Sequence, residues 1–464
     1  VTDRQNLPSS FRDRDGRLFI ESGVLYRRIY PSYEPHYLQL ISSGLYKKLV
    51  DDRSLVPHDE CPVPPDAAGE ISRILRPFRL PVISYPYEWC FDQLKDAALL
   101  TLTIQKTALD HGMILKDASA YNVQFFEGRP IFIDTLSFET YTEGQSWAAY
   151  RQFCRHFLAP LALMRYRGSE HGRLLRADLD GMSLGLVSAA LPWSSRLNLH
   201  LLLHLHSHAR AERSAHTAPA NSKPAASASL SRQALLAMLD SLESAVKGLH
   251  LKKSRKVWTR YYGQTHNYAD AGLAEKESAV RDLLGKISYS KVWDIGANTG
   301  RFSRVCAERS ALLLSLDSDP ECVNELYAAL KADPDARLYP LVYDAADPSP
   351  ALGWALEERD PLEKRFQPDL ILALALVHHL LIGRNLTWEQ MAGHWSRLAK
   401  HFIIEYVPKT DSQIALLLSS RKDVFDDYNE QSFLTAFAAH YHMVAAKPIS
   451  QNGRTLYLMT SRHA

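Results

Sequence analysis

The chain has 464 residues, of which 46% are hydrophobic and 23% charged, a composition that excludes wholesale disorder and predicts two or three domains. Lys plus Arg number 54 against 52 Asp plus Glu, so a formal charge of +2 provides no global field for a polyanion. Five scattered cysteines form no CxxC pair, and no apolar run reaches the roughly 18 residues of a spanning helix, so a cytoplasmic protein with reduced thiols and no membrane partner is expected.

In chain order, residues 17–20 and 24–29 read as two strands around Glu21-Ser22-Gly23, a hairpin. Residues 92–109 form an amphipathic helix. After it come LKDASAYNVQF, a turn at Glu127-Gly128, and a strand ending at Asp134. This order resembles the catalytic core of protein-kinase-like phosphotransferases over residues 92–139. The resemblance implies that Asp117 meets an acceptor hydroxyl and that Asn122 and Asp134 hold magnesium. It departs from that family in three ways. No Gly-rich phosphate loop precedes it, no VAIK-like lysine is present, and Asp134-Thr135-Leu136 stands where DFG is usual. Residues 1–142 are therefore read as an α+β domain, kinase-like or accessory, that positions an acceptor or partner.

Residues 143–206 read as a helical extension. His200, His204 and His208 recur at i, i+4 and i+8, but leucines surround them and no carboxylate or cysteine accompanies them, so a packed stripe is expected and no metal. Residues 207–232 are rich in Ala, Ser and Pro and contain one leucine, the composition of a linker. A basic run follows at Lys252, Lys253, Arg255 and Lys256, beside Trp258, Tyr261, Tyr262 and Tyr268. The run reads as a solvated face, and the aromatics either lid a ligand or simply pack.

From 233 onward strand and helix signals alternate. Strands are predicted at 291–297, 312–319, 338–343, 369–377 and 402–406, and a final pair at 443–449 and 454–459 flanks an Asn-Gly turn. Near-continuous apolar strands alternating with helices predict a parallel sheet covered on both faces. The first turn reads Asp294-Ile-Gly296-Ala-Asn298-Thr-Gly300, and the second strand ends in Asp317, an acid placed to accept the ribose hydroxyls of an adenosine. DIGANTG followed by SLDSD resembles the first two motifs of class I S-adenosylmethionine-dependent methyltransferases, spaced DxGxxxG rather than the GxGxxG of dinucleotide dehydrogenases.

The resemblance covers about residues 271–460. It implies a Rossmann-like seven-stranded methyltransferase sheet with a terminal antiparallel hairpin and S-adenosyl-L-methionine as cofactor. Asp294, Gly296 and Gly300 would frame the methionine end, with Asn298 where many members carry a second glycine. Asp317 would hold the ribose, Ser318 would lie beside the adenine and Asp344 would meet its amino group. His378 and His379, at the carboxyl end of the fourth strand, are candidate bases, and Glu405 at the end of the fifth is expected to face the same crevice. The whole pattern, LKDxxxYNVQF and IDxxSFE before the methyltransferase motifs, is similar to a bacterial group of two-part methyltransferase-like proteins, some of them called nodulation proteins. The expected reaction is methyl transfer to a small-molecule or glycan-type acceptor. The charge balance argues against RNA, and a bifunctional kinase–methyltransferase or a non-catalytic binding protein are the rival readings.

Overall fold

The computed structural model describes residues 4–67, 69–211, 229–252, 270–419, 422–450 and 453–463. It divides into two units, Val1–Lys253 with Ala351–Asp360, and Ser254–Pro350 with Pro361–Ala464.

In the first unit an antiparallel sheet runs in the order β1 (Arg4–Asn6), β2 (Gly16–Glu21), β3 (Val24–Ile29), β5 (Arg73–Pro77), β4 (His58–Cys61). The β2–β3 turn holds Ser22 and Gly23 at φ of 50° and 79°, the left-handed pair that suits the twist of a two-residue hairpin. The helix Phe91–Asp110 follows, its Cys90 amide held by Gln93 Oε1 at 2.9 Å. Its apolar positions recur at helical spacing, so one face is buried. Next come β6 (Met113–Leu115), the hairpin β7 (Val123–Phe126) and β8 (Arg129–Phe132), and β9 (Phe138–Thr140), which pairs with β6.

The expected helical extension is present and contains two π-helical stretches, Cys154–Leu158 and Leu202–Ser207. The boundary between halves differs from expectation. The helix Arg232–Gly248 belongs to the first unit, not to the C-terminal domain expected to begin at 233. Leu235, Leu239, Leu242 and Val246 bury its inner face, while Lys106 of the Phe91–Asp110 helix pairs with Asp240 at 2.6 Å and with Glu243. Lys95 donates to the carbonyls of Lys247 and Leu249 at 3.0 and 2.6 Å. Of the expected linker, residues 212–228 lie outside the described residues, as do the aromatics at 258–268 and all of the basic run but Lys252.

The histidine stripe packs, as its leucine neighbours suggested. His204 shares hydrogen bonds with Tyr150 Oη and Ser241 Oγ, both at 2.8 Å, and His200 reaches the same serine at 3.0 Å. His206 lies between Ser188 Oγ at 2.8 Å and Ser195 Oγ at 3.0 Å.

In the second unit a seven-stranded sheet has the order β12 (Leu338–Val342), β11 (Leu312–Asp317), β10 (Lys291–Ile295), β13 (Leu370–Ala373), β14 (His401–Tyr406), β16 (Arg454–Ser461), β15 (Tyr441–Ile449). The pairings among β10 to β14 are parallel, and those of β16 with β14 and β15 are antiparallel. Strand order reverses between β10 and β13. In an open α/β sheet that reversal leaves a crevice beyond the carboxyl ends of those strands.

Burial lowers the imidazole pKa of His58 and His204 to about 4 and that of His156 to about 3. Each binds fewer protons folded than unfolded, so its contribution is complete above about pH 6.5 and is lost as pH falls toward 4. Denaturant midpoints of the first unit should therefore fall between pH 6.5 and 4, and the slope should be shallower in His204→Gln. An equal slope in that variant removes His204 from the account.

Candidate active site

The turn after β10 carries three residues in left-handed backbone, Gly296 at φ 81°, Asn298 at 51° and Gly300 at 80°. Asparagine tolerates that region better than most residues, which explains how it stands where a glycine is common. A Cβ on Gly300 would lie 2.6 Å from Leu326 Cδ1, so that glycine is also fixed by close packing. The backbone of the turn is tied to the end of β11, because the Asn298 amide donates to Asp317 Oδ2 at 2.8 Å. Asp317 Oδ1 accepts from the Asp319 amide at 2.8 Å. These amides leave part of the carboxylate's acceptor capacity unused, so a hydroxyl can still donate to it. Burial raises Asp317 to about 6 despite these amides.

Asp294 is buried beneath the turn and accepts from Ser303 Oγ at 2.6 Å. Burial raises it to about 7 and the Asp317 charge adds to the rise, while Ser303 opposes it. Ser318 is exposed beside Asp317. Asp344, just past β12, is buried and engaged by the Ala346 amide at 3.0 Å and Arg384 Nη2 at 2.8 Å.

The fourth strand ends earlier than its apolar run suggested. β13 stops at Ala373, Ala375 turns at φ 51°, and His378 and His379 lie in the first turn of the helix Val377–Arg384. The loop before that helix packs against the Gly296 turn, since a Cβ on Gly296 would stand 3.6 Å from Leu376 Cδ1. The two imidazoles are 4.2 Å apart, and His378 is only 1% exposed with Nδ1 lacking a hydrogen-bond partner. Burial lowers His379 to about 4, and Arg454 adds to the shift, so it is neutral near pH 7.

Glu405 does not face a crevice. It is completely buried, bonded to Lys276 Nζ at 2.6 Å and Arg454 Nη1 at 3.4 Å. Arg454 Nε also reaches Asp411 Oδ2 at 2.9 Å. Two cations and two carboxylates thus satisfy one another inside the unit, and Glu405 is a structural ion rather than a base. Lys276 was missed in the sequence. The signal was present, because it falls on the stripe of Leu273, Val280, Leu283 and Leu284 in the helix Asp270–Leu284.

In the first unit the fold brings Asp117, Asn122 and Asp134 together. Asn122 and Gln152 hydrogen-bond Asp117, whose pKa burial raises with help from the Asp134 charge. Asn122 Nδ2 donates to Ser137 Oγ at 3.1 Å, and that hydroxyl donates to Asp134 Oδ2. Arg27 of β3 pairs with Asp134 and with Asp13, both at 2.5 Å. Among the described residues, no group of three or more His, Cys, Asp or Glu side chains is arranged to hold a metal ion.

The parallel sheet, its reversal, the final hairpin and the acid-capped glycine turn together define the C-terminal unit as an open α/β domain with its crevice at the strand reversal. No family model matches the chain. It is 33% identical over 457 residues to the nodulation protein NoeA of Rhizobium meliloti (strain 1021), covering 97% of this chain and 94% of that protein, and it belongs to the NoeA family. Two solved structures are similar at low scores. The N-methyltransferase NodS of Bradyrhizobium japonicum WM9 is 13% identical, with a TM-score of 0.30, over 41% of this chain and 97% of its own. Magnesium protoporphyrin IX methyltransferase ChlM of Synechocystis PCC 6803, with bound SAH, is 17% identical, with a TM-score of 0.32, over 44% of this chain and 92% of its own.

Removing one member of a buried ion network leaves its partner charged and dry. Arg454→Met should therefore destabilise the second unit by about 3–5 kcal/mol, read by urea unfolding. A change under about 1 kcal/mol would mean that water reaches the network.

Proposed function

We propose that this protein is an S-adenosylmethionine-dependent methyltransferase acting on a small-molecule or glycan-type acceptor. The observation that carries the reading is the coupling of the glycine turn to Asp317 through the Asn298 amide, at the reversal of the sheet. The residues present fit that cofactor. The left-handed turn allows close approach of a ligand to backbone, and Asp317 has acceptor capacity left for a ribose. Asp294, Gly296, Asn298 and Gly300 would frame the methionine end. Ser318 would lie beside the adenine, and Asp344, steadied by Arg384, at its amino group.

When bound, the cofactor supplies a methyl group that is already activated. What remains for the protein is alignment, and a base where the acceptor must lose a proton. His379, half-buried and neutral, is the candidate for that proton, with His378 packed behind it.

The first unit is assigned an accessory role in positioning the acceptor. Its Asp117, Asn122 and Asp134 converge in the order of a phosphotransferase, but Arg27 and Ser137 already engage Asp134. All five cysteines are free thiols, and this supports a cytoplasmic location.

Calorimetry with S-adenosylmethionine tests the site. Asp317→Ala should weaken binding at least tenfold, because the ribose loses its acceptor. Affinity should also fall as pH drops through about 6, where Asp317 takes up a proton, and Asp317→Asn should remove that dependence. Normal binding by Asp317→Ala rejects the assignment. His379→Gln should slow methyl transfer to a labelled acceptor fraction while leaving cofactor affinity within twofold. Unchanged turnover would exclude His379 as the base.

A further inference from the structure

The helical part of the first unit has an outer side that its inner packing does not explain. Five of the seventeen large apolar side chains exposed among the described residues fall between positions 186 and 203. They are Leu186, Trp193, Leu197, Leu199 and Leu203, with Trp193 68%, Leu197 71% and Leu199 72% exposed. They sit on consecutive short elements, the helix Leu184–Ala190, the 3-10 turn Trp193–Leu197, the turn Leu199–Leu201 and the π-helical stretch Leu202–Ser207. The layer is held from inside. His206 bonds Ser188 of the first element and Ser195 of the second, while Leu184, Val187, Leu201 and Leu205 are buried. A scatter of single exposed apolar residues needs no explanation, but a concentration of this kind marks an interaction surface.

The charge around it selects the partner. From Gly181 to Ala211 the chain contains no Asp or Glu, while it carries the exposed Arg196 and Arg210. Arg196 is exposed between Trp193 and Leu197. Self-association through this face would set like charges against each other, whereas an anionic surface complements them. A tryptophan and leucines beside arginine, with no carboxylate in the same stretch of chain, is the composition of an element that lies in a membrane interface without spanning it.

We propose that this face docks the protein peripherally on an anionic phospholipid bilayer. No described helix is long and apolar enough to cross a membrane, so the proposed attachment is to the surface. The attraction to anionic lipid is electrostatic and should weaken with salt.

Flotation of the full chain with vesicles tests this, using phosphatidylcholine alone and phosphatidylcholine with one-third phosphatidylglycerol. The wild-type chain should float with the anionic vesicles and far less with the neutral ones. Trp193→Ser combined with Leu197→Ser should reduce that binding at least tenfold with an unchanged melting curve. Leu199→Ser, on another element, gives an independent loss should the double variant fold poorly. Arg196→Glu should abolish the preference for anionic lipid. Absence of wild-type binding, or equal binding by the double variant and Leu199→Ser, overturns the proposal. So does a concentration-dependent dimer in sedimentation that the same substitutions abolish without any vesicle binding, which would assign the face to a second copy.

Discussion

The second unit depends on four charges that have no water. Glu405 lies buried near the carboxyl end of β14 with Lys276 and Arg454 on its two oxygens, and Arg454 reaches on to Asp411. Burying a lone carboxylate in such a place is prohibitive, so the helix carrying Lys276 and the strand carrying Arg454 must both be in place before Glu405 is tolerated. That requirement ties together parts of the chain far apart in sequence: the helix Asp270–Leu284, the fifth parallel strand, the loop at Asp411 and the start of the last strand. It also sets the field around His378 and His379, since Arg454 and Lys276 both disfavour a proton on His378.

Around that centre, the carboxyl end of the first parallel strand opens into a turn shaped by its own backbone. The glycine turn owes its shape to three left-handed residues and its position to the Asn298 amide on Asp317 and the Gly296 and Ala297 amides on the Leu316 carbonyl. The acidic groups beneath it are held above the ordinary carboxylate range by burial, Asp294 to about 7 and Asp317 to about 6. A site arranged in this way responds to protonation at a pH where most carboxylates do not.

Much of this was legible in the residues. Continuous apolar strands alternating with helices, a closing pair of antiparallel strands, and an acid at the close of the second strand each carry a local physical reason, and the structure has all of those elements. What was misread had a nonlocal cause. The run through Leu374 to Ile382 is apolar whether it is strand or helix, and only the turn at Ala375 separates β13 from the helix bearing the histidines. Glu405 looked like a crevice residue because its strand ends nearby, yet its partners are some 129 and 49 positions away. The helix Arg232–Gly248 was assigned to the wrong half because the Ala/Ser/Pro stretch before it looks like a divider, while the lysines that hold the helix lie in the first hundred or so residues.

That last point bears on how the chain is to be cut. Residues 207–232 do not join two bodies; they join two parts of one, because the chain returns to the first unit as the helix gripped by Lys95 and Lys106. A protease acting within 212–228 would leave a nicked protein whose pieces remain held by that helix, not two freed halves. A C-terminal fragment started at 233 would carry away a helix with an apolar face bare, and would leave behind a first unit with a matching furrow. The natural places to open this polypeptide, or to splice another into it, follow from where a helix is buried and not from where the composition changes.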